Sequence, residues 1–220
     1  MSWTNNETLL NYSKATPCKE IFQAVCDEIG KHYEKQGLKY SRARPKIVYK
    51  DKDIKVEICF WSSRSNIPGE SINLEILPWF HSLQLAKQSK TKGYLFGHTG
   101  LFIHKYTDNI KQRKIRQIFG DEEEYVYEYS YESIIKDNNN CNVYGLDEQK
   151  FKKIIEFIDN KILSWVEKIK TEEGINELIQ DPSQTRIEAL NLNGKRGNSC
   201  FVEYVKTNFP NINIDKWREE

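Results

Sequence analysis

Asp51, Asp53, Glu57 and Glu75 are the carboxylates of this chain best placed for metal chemistry. They fall on or beside three alternating apolar segments that follow one long amphipathic segment, an α-β-β-β order that suits a metal-dependent nuclease core. Such a core uses a helix glutamate, a strand aspartate and a Glu-x-Lys pair on the next strand to hold Mg²⁺ and activate water. Here the matching positions read Glu57-Ile58-Cys59 and Glu75-Ile76-Leu77. No lysine stands two residues after either glutamate, so the water-activating cation is missing. Each carboxylate is equally well explained as the polar side of a strand.

Zinc and nucleophilic chemistry find little support. His81, His98 and His104 share one stretch, yet no His-x-x-x-His or Cys-x-x-Cys spacing accompanies them. Ser62, Ser63 and Ser65 surround Arg64 at a strand end without a Gly-x-Ser-x-Gly elbow or an evident base. The glycine-flanked loop Asn193–Asn198 carries Lys195 and Arg196 into a helix start, an anion-binding geometry, but the Walker spacing is absent. The sequence therefore names no catalytic residue, no metal ligand and no cofactor.

Charge and aromatic content point to binding. The net charge of +1 selects no partner, but its distribution is uneven. Arg42, Arg44 and Lys46 stand in one basic stretch and Lys111, Arg113, Lys114 and Arg116 in another. Glu122, Glu123 and Glu124 open an acidic one. Segregation of this kind either steers a charged partner or is neutralised within the fold. Tyr125, Tyr127, Tyr129 and Tyr131 share one parity and so one face of a strand. A tyrosine ladder binds a base or a protein surface, or packs beneath a helix.

The elements that position these residues read as follows. Thr16 as N-cap, Pro17 at the first helical position and Gly37 as left-handed terminator bracket a helix with a stripe of Phe22, Val25, Cys26, Ile29 and Tyr33. Strands are expected over Lys46–Asp51, Ile54–Ser62 and Glu70–Trp79, the last two joined through the turn Asn66-Ile67-Pro68-Gly69. A short helix over His81–Ser89, strands at Tyr94–Phe96 and Leu101–Tyr106, and a basic helix from about Asp108 to Phe119 follow. Asp147 caps a long helix running to Lys170, with Leu146 and Phe151 as its staple. Further helices open at Asp181-Pro182, with Ile187 and Leu190, and at Ser199, stopped by Pro210.

A chain of 220 residues buries a core without staples. Its five cysteines, Cys18, Cys26, Cys59, Cys141 and Cys200, are scattered and odd in number, which suits buried thiols in a reducing, cytoplasmic setting. No signal-like N-terminus is expected, and no apolar run approaches the roughly 18 residues of a membrane span.

The stretch from Lys19 to Ile76 contains a helix, the step Gln36-Gly37-Leu38-Lys39-Tyr40, a basic strand and Phe60-Trp61-Ser62-Ser63-Arg64-Ser65. In these features about a quarter of the chain resembles bacterial DUF4304-type proteins. The resemblance implies a small bacterial α+β module of toxin-immunity and phage-defence neighbourhoods and transfers no catalytic residue.

The reading is an α+β protein with a mixed or mostly antiparallel sheet, packed by an N-terminal helix and a long C-terminal helix. It forms one unit over 1–170 and a helical extension over 171–220. The expected function is non-catalytic: an immunity or defence-associated protein that masks a protein partner, possessing a contact surface at Glu122, Glu123, Glu124, Tyr125, Tyr127, Tyr129 and Tyr131. The alternative is a nucleic-acid-binding or degenerate nuclease-like protein, meeting phosphates with Arg42, Arg44, Lys46, Arg64, the Lys111–Arg116 cluster, Lys195 and Arg196.

Overall fold

The structure, a computed structural model, describes residues 3–88, 93–97, 102–105, 113–116, 118–119, 123–125, 134–137, 139–180 and 199–215. Its main layer is a six-stranded antiparallel sheet of β1 (Lys39–Ser41), β2 (Lys46–Lys50), β3 (Ile54–Trp61), β4 (Asn73–Ser82), β5 (Tyr94–Gly97) and β10 (Asn140–Asn142). The order is β1-β2-β3-β4-β10, and β5 pairs with β4 beyond the stretch taken by β10. The alternation foreseen for the central strands is present: Ile54, Val56, Ile58 and Phe60 are buried while Lys55, Glu57, Cys59 and Trp61 are not. Register sets Ile58 opposite Ile47 on one side and Pro78 on the other, so one face of three strands forms a continuous apolar floor.

Helices cover that floor. Before the main helix, Asn6 caps the short α1 (Glu7–Asn11) by accepting from Leu9 N, an element the sequence reading did not include. The next, α2 (Cys18–Glu34), buries Ile21, Val25, Ile29 and Tyr33. Pro17 rather than Thr16 occupies its N-cap, and the Thr16 hydroxyl accepts from Ser13 N instead. Gly37 takes a φ of +87°, as a left-handed terminator must. The cap expected at Asp147 is present, with Lys150 N donating to Asp147 Oδ1 at 2.8 Å ahead of α4 (Glu148–Ile158). The helix expected to run unbroken to Lys170 passes through a π-helical turn, Asp159–Leu163, before α5 (Trp165–Lys168). At that turn the buried Tyr33 hydroxyl donates towards Asp159 Oδ1 at 2.8 Å and approaches Ile155 O at 3.3 Å, so a side chain from α2 engages the helix where its ladder widens.

Two further elements complete the described C-terminal third, α6 (Glu172–Gln180) and α7 (Ser199–Asn208). Phe201 of α7 meets Phe96 of β5 edge-on at 6.2 Å, and Tyr204 OH donates to Ile169 O at 2.9 Å. Residues of α7 thereby share one apolar cluster with the sheet. The helix expected from Asp181, with Ile187 and Leu190, and the loop 193–198 lie outside the described residues.

His81 and Ser82 extend β4 rather than opening a helix; α3 (Leu83–Gln88) starts after Ser82, whose Oγ accepts from Leu85 N. A second, four-stranded sheet has the order β6 (Phe102–Lys105), β9 (Ile134–Asp137), β7 (Arg113–Arg116), β8 (Glu123–Tyr125). Of the segment expected as a basic helix, Arg113–Arg116 lie in this sheet as β7. Ladder pairing with β8 and β9 on its two sides decides its conformation over local propensity. The fold is thus α+β, with one antiparallel sheet and one mixed sheet.

Candidate functional site

The polar face of the main sheet gathers several residues singled out above. Lys46 on β2 donates to Glu57 Oε1 on β3 at 2.6 Å, and Lys55 and His81 approach Glu57 Oε2 at 3.8 Å. Burial opposes ionisation of Glu57, but the Lys46 hydrogen bond and the charges of Lys55, Lys46 and His81 outweigh it and hold the carboxyl below its usual range. Arg42 is similarly engaged, its Nε 3.1 Å from Asp27 Oδ2, and Tyr40 OH donates to the other oxygen of Asp27 at 2.9 Å. Arg44 and Arg64 stand exposed in turns. The basic residues assigned to phosphate contact are therefore not equivalent: Arg42 and Lys46 already face carboxylates.

The four carboxylates do not converge. Glu57 pairs with Trp79 and Glu75 with Trp61, so the two glutamates are separated by four strand positions, about 13 Å. Burial raises the Glu75 pKa, the opposite of what an attending cation would do. Asp51 turns instead to Lys170, 2.7 Å away, and accepts from Tyr49 OH, Asp53 N and Ile54 N. Among the described residues no group of three His, Cys, Asp or Glu side chains could hold a metal ion. Cys26 and Cys141 are buried thiols whereas Cys18, Cys59 and Cys200 are half-buried, and none of the five is in a disulfide.

Of the acidic and tyrosine-bearing segment, Glu123, Glu124 and Tyr125 lie on β8. Arg113 and Lys114 of β7 are the register partners of Tyr125 and Glu124, so the two oppositely charged stretches are neighbours in one ladder. Arg116 pairs with Asp137 across the parallel β7–β9 ladder. Glu122, Tyr127, Tyr129, Tyr131, Lys111, Lys195 and Arg196 lie outside the described residues, as does His98.

A concave surface lies elsewhere, where the N-terminal segment meets α2 and α4. Two adjoining hollows of about 210 and 300 Å³ share a wall of Trp3, His32 and Phe151. The Trp3 and Phe151 rings are 5.2 Å apart, and His32 meets Phe151 edge-on at 6.4 Å. Helical spacing explains the wall: His32 lies on the last turn of α2 and Phe151 on the first turn of α4. Trp3 closes the corner from the chain ahead of α1. Ile155 extends the apolar surface of the larger hollow.

The rim carries both signs of charge. Lys31 is 3.5 Å from Glu28, and Lys152 is 2.7 Å from Glu148. The exposed Lys35 beside the smaller hollow and the exposed Glu156 beside the larger one have no such partner among the described residues. The arrangement offers an aromatic seat between one uncompensated cation and one uncompensated anion. Sequence reading had assigned Phe151 to a staple and had no signal that would join it to Trp3 and His32. No described helix is long and apolar enough to cross a membrane. No family model, curated protein or solved structure matches the chain.

Proposed function

We propose that this chain is a binding protein that masks a protein partner, as an immunity protein does, and that the partner docks in the groove walled by Trp3, His32 and Phe151. The observation that carries this reading is the pair of adjoining hollows on a shared aromatic wall, with Lys35 beside one and Glu156 beside the other, neither in an ion pair among the described residues. Aromatic pockets ringed by charge are the usual seats of interface anchors. The occupant is a partner segment with a bulky apolar side chain between an acidic residue, which meets Lys35, and a basic residue, which meets Glu156.

The test is affinity capture with the full chain as bait, run in parallel with Trp3→Ala and with the double charge swap Lys35→Glu, Glu156→Lys. Both variants should keep the wild-type circular dichroism spectrum. A protein retained by the wild type and lost from both variants, with its affinity reduced about tenfold or more, supports the reading. Retention that is equal in all three, or no retained protein, overturns it.

A further inference from the structure

A further cavity, of about 240 Å³, shares no lining residue with the Trp3 groove. It forms where the turn after β2, the start of α3, the segment after α5 and the end of α7 meet. Asp53, Ser82, Gln84, Lys170, Tyr204, Asn208 and Phe209 border it.

Several hydrogen-bond donors of this lining are spent inward. Tyr204 OH donates to Ile169 O at 2.9 Å, so its oxygen is left to accept. Asn208 Nδ2 donates to Tyr204 O at 2.9 Å, which leaves Asn208 Oδ1 as an acceptor. Lys170 directs two of its three N–H groups to Asp51 and Glu167, at 2.7 and 2.8 Å, so two carboxylates attend its single charge. The carboxylates around the cavity consequently outnumber its one lysine, and Asp53 is the one that borders it, with a loose contact of 3.8 Å to the exposed Lys52. Tyr204 responds to that field: burial first, then Asp53 and Asp51, push its pKa up to about 12 against the opposing effect of Lys170. Phe209, packed edge-on against Tyr204 at 6.0 Å, adds an aromatic surface.

We propose that this cavity is a binding site for a small organic cation with several N–H donors, of the alkylammonium or guanidinium class. Asp53 supplies the counter-charge, Tyr204 Oη and Asn208 Oδ1 accept the N–H groups, and Phe209 offers a cation–π face. An anionic ligand is disfavoured because Lys170 is already flanked by two carboxylates.

Isothermal titration of the full chain tests this with three probes: putrescine, agmatine and the neutral isostere butanediol. The expected result is saturable binding of at least one cation, with a dissociation constant of about 1 mM or tighter, and none of butanediol. Putrescine against agmatine separates ammonium from guanidinium recognition. Asp53→Asn and, separately, Asn208→Leu should each weaken the bound cation about tenfold, with unchanged thermal unfolding in the absence of probe. Three outcomes overturn the proposal: neither cation binds saturably, butanediol binds as well as putrescine, or Asp53→Asn binds as tightly as the wild type. Because Asp53 and Asn208 do not line the Trp3 groove, each result is independent of partner docking there.

Discussion

Lys170 Nζ lies 2.7 Å from Asp51 Oδ2, and this ion pair ties the end of the helical layer to the turn between β2 and β3. Both side chains are about three-quarters buried in place, with exposures of 24 % and 25 %. Burial opposes the charge on each, but the hydrogen bonds between them outweigh it. Asp51 is held well below the usual carboxylate range, aided by Ile54 N, Asp53 N and Tyr49 OH, and Lys170 is held above the usual amine range, aided by Glu167.

The pair makes stability depend on pH in a defined direction. The Asp51 contribution is present above the unfolded carboxylate pKa of about 3.9 and is lost as the pH falls towards its lower folded value. The Lys170 contribution is present below about pH 10.4 and is lost as the pH rises through its higher folded value. Asp51→Asn should therefore lower unfolding free energy by about 1–3 kcal/mol at neutral pH, with the difference from wild type shrinking from about pH 4 downwards. Urea denaturation across that range measures it; a difference that stays constant down to pH 2 would contradict the assignment.

Gly30 is needed for a close approach. A methyl group there would run into the Tyr40 ring, which lies over α2 so that its hydroxyl reaches Asp27. Gly30→Ala should destabilise by about 1–3 kcal/mol despite the better helix propensity of alanine. In a Tyr40→Ala background the same substitution should be neutral or stabilising. Additive effects in the double-mutant cycle would show that the two positions do not meet.

Tyr33→Phe removes the hydroxyl that reaches Asp159 at the π-helical turn. The expected cost is about 1–3 kcal/mol, since a polar partner is left behind in a largely enclosed site. Hydrogen exchange should rise locally over residues 159–164 more than over α6. Uniform protection there would mean the turn is held by its neighbours rather than by Tyr33.

Trp3 packs against Phe151 at the groove, and its emission should report on it. Binding of the captured partner should alter tryptophan fluorescence in a Trp61→Phe background, which removes the most exposed of the described tryptophans, at 51 %. The change should vanish in Trp3→Phe. Persistence of the signal without Trp3 would place the contact elsewhere.

Residues 16–62 were largely legible because their signals are local. The stripe of Val25, Cys26 and Ile29, the left-handed Gly37 and the strict alternation from Ile54 to Trp61 each specify an element within one or two turns of chain. The Asp147 cap was legible for the same reason. The segment Arg113–Arg116 was not: four charged or aliphatic residues carry no period, and the strand exists because β8 and β9 supply its hydrogen bonds.

The functional surfaces divide along the same line. The sequence alone determined which residues are charged, aromatic or apolar, the α+β class and the positions of its main helices and central strands, because those depend on neighbours a few residues away. Only the tertiary structure decided that Arg42 and Lys46 face Asp27 and Glu57, that Asp51 answers Lys170 rather than a cation, and that Trp3, His32 and Phe151 share one wall. Those pairings join residues distant in sequence, and their partners are chosen by how the helices pack on the sheet, a choice no local pattern records.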